Sequence, residues 1–194
     1  MTLGKKGTNK LFVGIGIVVA IVLLIGLWYV SAYNSLIRLN EGVNNKWAQV
    51  ETQYQRRVDL IPNLVNTVKG SAGFEKSTLE DITKLRSQWQ TASTIEQKVQ
   101  TANQIESTLS KLLLISENYP QLKTTQNFLA LQDELANTEN KVAVERGRYN
   151  DAIRDFNAKI KTFPTNIVAK RLNYVDRSYF NAKPGAENAP QVNF

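Results

Sequence analysis

Leu11 to Val30 reads LFVGIGIVVAIVLLIGLWYV. No side chain in it is charged, and its only polar groups are the tips of Trp28 and Tyr29. At ~1.5 Å rise per residue a helix of this length covers roughly 30 Å, the hydrocarbon thickness of a bilayer. A helix satisfies every backbone amide internally, which lipid demands. A core helix of a soluble protein is usually shorter and apolar on one face only. A signal peptide fits the basic start, and Val30-Ser31-Ala32 faintly resembles a cleavage site. The run, however, exceeds the ~7–15 apolar residues of such a peptide. Trp28, Tyr29 and Tyr33 form an interfacial aromatic belt. The reading is a retained transmembrane helix over 11–30, after a basic tail at 1–10.

Composition bounds the rest. The chain has 194 residues, no Cys and no His, and a net charge of +7. Missing His removes the commonest general base and metal ligand together. Missing Cys excludes disulfides. Lys5, Lys6 and Lys10 precede the apolar run, leaving 21 basic against 17 acidic side chains after it. That mild excess suits an anionic lipid surface and excludes a nucleic-acid footprint. The C side has only Arg38 and Lys46 within its first twenty residues. The asymmetry predicts an N-terminus in the cytoplasm and a C-terminal domain outside the cytoplasmic membrane.

Working outward, no strong helix breaker follows the span until Pro62. Leu36, Asn40, Val43, Trp47, Val50, Tyr54, Arg57, Ile61, Leu64 and Val68 recur every 3.5 residues, the spacing of a bundle seam. The span is therefore expected to continue as one long helix to about Lys69, kinked at Pro62 and capped at Gly70. Ser77-Thr78-Leu79-Glu80 reads as a capping box opening a second segment. Thr94-Ile95-Glu96-Gln97 reads as another, after a break near 91–93. The seam continues through Ile95, Val99, Ala102, Leu109, Leu113 and Ser116. Pro120 suits the first turn of a third segment running to about Phe163. Its stripe is Phe128, Gln132, Leu135, Glu139, Val142, Arg146, Tyr149, Ile153, Phe156, Ile160 and Phe163. A short helix over 166–180 and an extended tail over 181–194 complete the chain. The fold class is all-α: the transmembrane helix continues into an antiparallel bundle at 31–180. Three long segments, running up, down and up, and a short C-terminal helix build that bundle.

Four stretches resemble the bacterial LemA family: QRRVDLIPNLVNTVKG at 55–70, YPQLKTTQNFLALQ at 119–132, ENKVAVERGRYNDAIRDFN at 139–157, and an ending with Phe163-Pro164, Tyr179-Phe180 and PQVNF at 190–194. With the anchor, the resemblance covers nearly the whole chain. Tyr174 departs from it, standing where the family tends to have Phe. The resemblance implies a single-pass membrane protein with a helical-bundle domain and no established catalytic activity. A magnetosome-forming membrane protein belongs to the same family, which implies a part in membrane organisation.

Charged residues on the apolar seams need partners, because a lone buried charge is costly. With segments running up, down and up, Arg57 falls level with Asp151 and Asp155, away from Glu139. Arg56, Arg57, Asp59, Asn63, Asn150, Asp151 and Asp155 then make a candidate polar layer. It either fixes helix register or forms a pocket for a carboxylate or phosphate. Gln132, Glu139 and Arg146 are further polar seam positions. Glu and Arg without a Ser–His, Cys–His or metal set make a poor catalytic group, so no enzyme activity and no cofactor or metal is expected. Gly14-Ile15-Gly16 lies inside the apolar run, with no strand before it to make a phosphate loop.

Val168, Leu172, Val175 and Tyr179 follow helical spacing as one apolar face. That face either closes the bundle or binds a partner or lipid headgroups. Val192 and Phe194 are expected to hook the tail onto the bundle or a neighbouring copy. The functional expectation is a membrane-anchored scaffold or adaptor that self-assembles and organises envelope proteins or membrane. The alternative is a ligand-binding or signal-input module acting through the first helix. The expected partners are the membrane, and further copies or envelope proteins; nucleic acid is not among them.

Overall fold

The computed structural model describes residues 5–69 and 76–180, with side chains from residue 12 onward. The basic tail's side chains, the Gly70 cap and the extended tail with Val192 and Phe194 lie outside the described residues. The described residues hold six helices and no strand. They are α1 (Lys5–Lys69), α2 (Lys76–Thr91), α3 (Ile95–Ser116), α4 (Pro120–Lys123), α5 (Gln126–Lys161) and α6 (Thr165–Arg171). The chain divides into two compact units. The first is Met1–Asn44 with Asp151–Ser178, and the second is Asn45–Asn150 with Tyr179–Phe194.

α1 passes from the apolar run through Pro62 as a single helix. Every side chain of Phe12–Tyr29 is exposed. Such an apolar surface facing water would be costly, and a bilayer removes that cost. The α1 seam is buried as its spacing predicts: Leu36, Val43, Trp47, Val50, Tyr54, Arg57, Ile61, Leu64 and Val68 are all interior.

In the second unit the chain turns back at Ala92–Thr94. Thr94 has extended backbone and Oγ1 accepts from the Gln97 N–H at 3.2 Å, while Gln97 Oε1 accepts from the Thr94 N–H at 3.3 Å. This reciprocal cap stops α2 and starts α3. The two helices then pack together as a hairpin. The other expected box differs: α2 begins at Lys76, so Ser77 lies within the helix, and Thr78 is buried. α4 is a single turn with Pro120 at its start, and α5 begins afresh at Gln126.

The hairpin reverses the expected direction of the third segment. Arg57 meets Glu139, and ten residues back along α1 Trp47 meets Tyr149, ten residues on along α5. α1 and α5 are thus antiparallel in this unit. α3 completes it beside both, through Tyr54–Glu106 and Arg146–Glu106.

In the first unit α5's last turns bury Ile153, Phe156 and Ile160, and α6 buries Thr165, Val168 and Ala169. The bond between Phe163 and Pro164 is cis. The expected helix over 166–180 is corrected: α6 stops at Arg171. Asn173 takes a left-handed conformation (φ 53°), Asn173 N–H donates to Lys170 O, and Tyr174 N–H donates to Ala169 O, both at 3.1 Å. That is a Schellman cap with Asn in place of the usual Gly. The chain from Tyr174 to Phe180 then runs as an irregular strap. Val168, Leu172, Val175 and Tyr179 therefore share no helical face. Val168 is buried and Leu172 half-buried, while Val175 and Tyr179 are exposed.

Candidate functional site

The second unit's interior carries a charged network built from three helices. Tyr54 of α1 is fully buried and its hydroxyl donates to Glu106 Oε1 of α3. Glu106 is only 2% exposed. It also accepts from Arg146 Nη1 of α5, at 3.1 Å to Oε1 and 3.4 Å to Oε2. Burial, followed by the charge and hydrogen bond of Glu106, pushes the Tyr54 hydroxyl pKa well above its ordinary value, against the pull of Arg146 and Arg57. The carboxylate is thus fixed as an acceptor between a neutral donor and a cation.

Aromatic rings roof this network. Phe180 stacks on Tyr54, with centroids 6.1 Å apart and planes 4° from parallel. It also stacks on Trp47 at 6.4 Å, and the Arg146 guanidinium lies 4.1 Å from its ring centre. Asn150 of α5 holds the Phe180 backbone at both ends: Nδ2 donates to the carbonyl at 3.0 Å and Oδ1 accepts from the N–H at 2.8 Å. Trp89 packs on Tyr54, donates from Nε1 to Gln55 Oε1 at 3.0 Å, and lies under the Lys98 ammonium, which pairs with Glu51.

The first unit uses the same grip. Asn157, buried on α5, donates from Nδ2 to the Arg177 carbonyl and accepts from the Arg177 N–H, both at 2.9 Å. The Arg177 side chain then donates to Asn40 Oδ1 at 2.6 Å. Tyr174 packs edge-on against Phe156. Its hydroxyl pKa is raised, first by burial and then by Tyr33 and Glu41, with Arg177 opposing.

The expected polar layer does not gather. Arg57 pairs with Glu139 and not with Asp151 or Asp155, because the α2–α3 hairpin makes α5 antiparallel to α1 in the second unit. Asp151 and Asp155 are exposed and pair with Arg154. Arg56 is exposed, and Asp59 accepts from Gln55 on the surface; both line a shallow groove on one face of α1 with Ala48, Glu51 and Thr52. Asn63 is exposed. Only Asn150, as a backbone clamp, and Arg57 take interior roles. Of the further seam positions, Arg146 and Glu139 find the partners above, and Gln132 is half-buried.

Sequence reading missed Glu106, Phe180, Asn157 and Arg177. Glu106 had a legible signal: it stands between Ala102 and Leu109 on the buried stripe of α3. Phe180 and Arg177 carried no periodic signal, since helical spacing does not apply to a strap. Among the described residues no group of three or more acidic, His or Cys side chains gathers to hold a metal.

The geometry can be set beside known proteins. The model of the LemA family matches residues 46–194. Protein LemA of Metamycoplasma hominis is 28% identical over 180 residues, covering 91% of this chain and 80% of that protein. Magnetosome protein MamQ 2 of Paramagnetospirillum magneticum is 23% identical over 181 residues, covering 80% and 66%. Magnetosome protein MamQ of Magnetospirillum gryphiswaldense is 22% identical over 189 residues, covering 82% and 70%. The matched stretch holds the whole charged network, its aromatic roof and both asparagine clamps; this chain belongs to the LemA family.

Proposed function

We propose that this chain is a membrane-anchored helical scaffold or adaptor that assembles with its own copies or with envelope proteins and so organises the membrane. One observation carries the reading: the apolar run and the bundle's central seam are the same helix, α1. The anchor is thereby built into the folded part, with no linker between them. Inside the second unit Glu106, Tyr54 and Arg146 engage one another and tie three helices together, which suits a rigid scaffold. Relatives named as magnetosome proteins support a place at a membrane. The anchor lies in the bacterial cytoplasmic membrane with the C-terminal domain outside, on the asymmetry of Lys5, Lys6 and Lys10 against Arg38 and Lys46. Catalysis has no part in this reading.

A second reading, a ligand-binding or signal-input module, draws on one feature. Among the described residues the buried Arg57 guanidinium has Nε and Nη1 without hydrogen-bond partners. A carboxylate or phosphate suits such donors.

Size measurement of the full chain in lipid nanodiscs, beside a form starting near Ser35, separates the two. A scaffold gives large assemblies that depend on the bilayer. A sensor stays small and gains thermal stability with an anionic ligand. Orientation is checked by adding protease to intact spheroplasts, where the C-terminal domain should be cut. Cleavage only after lysis reverses the assignment.

A further inference from the structure

We infer that the corner formed by Phe163 and the outer face of α6 is a second membrane contact, seated among the headgroups of an anionic bilayer beside the α1 span. The inference rests on the anchored reading above and adds a surface to it.

The corner is exposed where a soluble domain would not leave it so. Phe163 is 76% exposed and Ile167, four residues on, is 59% exposed. α6 buries Thr165, Val168 and Ala169, which leaves Ile167, Lys170 and Arg171 facing outward. Among the described residues no ion pair engages Lys170 or Arg171, while the nearby Lys161 pairs with Asp176. An apolar tip rimmed by unpaired cations matches a headgroup layer. The rings and methyls enter the acyl boundary, and the long basic side chains reach phosphates.

The first unit sets the height of this corner. Arg177 bonds Asn40 on α1 and Asn157 on α5, which puts those two positions near one level. Ala32 and Leu36 of α1, nearer the apolar run, are buried in this unit, which they share with the end of α5, α6 and the strap, and Tyr33 contributes to the raised pKa of Tyr174. The turn that joins α5 to the strap therefore lies on the side of the unit facing that run. Four residues of α5 lead from Asn157 to its end at Lys161, about 6 Å, and Phe163 stands two residues further on, in the turn. Ten residues of α1 lead from Asn40 back to Val30, the end of the apolar run, about 15 Å. With α1 along the bilayer normal, the end of α5 stands about 9 Å outside the hydrocarbon boundary, and the turn that carries Phe163 follows it on that side. A headgroup layer is roughly 5–7 Å thick on each side. Tyr33, itself part-exposed, shares that layer.

The chain has no Cys, so a single introduced Cys labels one place. Phe163→Cys, Val144→Cys and Ile21→Cys are each labelled with an environment-sensitive fluorophore. The full chain is reconstituted in vesicles of phosphatidylcholine alone and of phosphatidylcholine with phosphatidylglycerol. Val144 is exposed in the second unit and serves as the aqueous reference. Quenching is read with aqueous iodide and with a lipid spin-labelled at its headgroup. The expected result is severalfold weaker iodide quenching at 163 than at 144, with strong headgroup quenching. Lys170→Glu with Arg171→Glu should weaken that protection in the anionic vesicles. Iodide quenching at 163 equal to that at 144, while Ile21 stays shielded, overturns this inference and leaves the anchor standing. An iodide-accessible Ile21 overturns the anchor itself. Protection that grows with protein per vesicle and shows no headgroup quenching assigns the corner to a second copy and overturns the lipid assignment. Unchanged protection in the doubly acidic variant overturns the anionic preference.

Discussion

Glu106→Ala removes the acceptor on which the second unit's interior converges. The carboxylate is 2% exposed, bonds the Tyr54 hydroxyl, and receives Arg146 Nη1 at 3.1 Å. Its loss strands a hydroxyl on a fully buried ring and takes the carboxylate away from a guanidinium on a side chain that is 17% exposed. Breaking a buried pair by deleting one partner costs about 3–5 kcal/mol. Water reaches part of Arg146, so the lower end, about 3 kcal/mol, is expected here. In a chain of this size 1 kcal/mol moves Tm by roughly 2–4 °C, which gives a loss of about 6–12 °C. Thermal unfolding of the full chain in detergent micelles, followed by far-UV circular dichroism, reads it. The combined variant Tyr54→Phe, Glu106→Leu, Arg146→Leu removes all three polar partners at once. It should recover most of the loss, because well-packed apolar replacements of a buried ion pair are often neutral. Glu106→Ala melting within about 2 °C of the parent would refute the argument.

Three other outcomes follow from the same geometry. Glu139 is half-exposed while Arg57 is buried, so Glu139→Ala strands the buried cation and should cost about 3 kcal/mol. Arg57→Leu, which leaves an acid free to turn to water, should cost less than Glu139→Ala; the reverse order in denaturant melts would place Arg57 in solvent. The folded chain holds Tyr54 protonated above its ordinary pKa of 10.0, whereas the unfolded chain releases that proton near it. The stability this group contributes is therefore complete below pH 10 and falls above it, by about 1.4 kcal/mol per pH unit for one proton. Tyr54→Phe should lose that component of the alkaline slope, and equal slopes for parent and variant would count against it. Trp47, buried against Tyr149 and Phe180, should cost about 3–5 kcal/mol as Trp47→Ala, and a melt unchanged within a degree or two would remove it from the core.

The α1 seam was legible because one strong signal, apolar residues every 3.5 positions, holds from Leu36 to Val68. The Thr94 cap was legible because Thr and Gln three apart satisfy each other's backbone. The direction of the chain after that cap was not, since a cap stops and starts helices but carries no angle. From that one omission came the wrong partner for Arg57. The Asp residues assigned to it, Asp151 and Asp155, needed a parallel α5, whereas Glu139 needs an antiparallel one. The end of α6 was missed for a different reason. Asn173 is a weaker stop signal than glycine, and the apolar spacing of Val168, Leu172, Val175 and Tyr179 continues across it. Within the strap Phe180 owes its burial to a tertiary clamp, which no local pattern encodes.

Those clamps limit which residues can stand at Asn150 and Asn157. Each side-chain amide offers its peptide partner one donor and one acceptor, as a neighbouring strand would, compressed into one residue. Aspartate has the same shape but no N–H. It would set a carboxylate against the carbonyl of Phe180 or Arg177 and turn an attraction into a repulsion. Leucine would leave both peptide groups unmet. Because the grip is on backbone, it makes no demand on the side chains it presents. Phe180 is thereby free to roof the Glu106 network, and Arg177 to reach Asn40. Spontaneous deamidation at either position changes a single amide to an acid, and would release the strap without altering one apolar contact in advance.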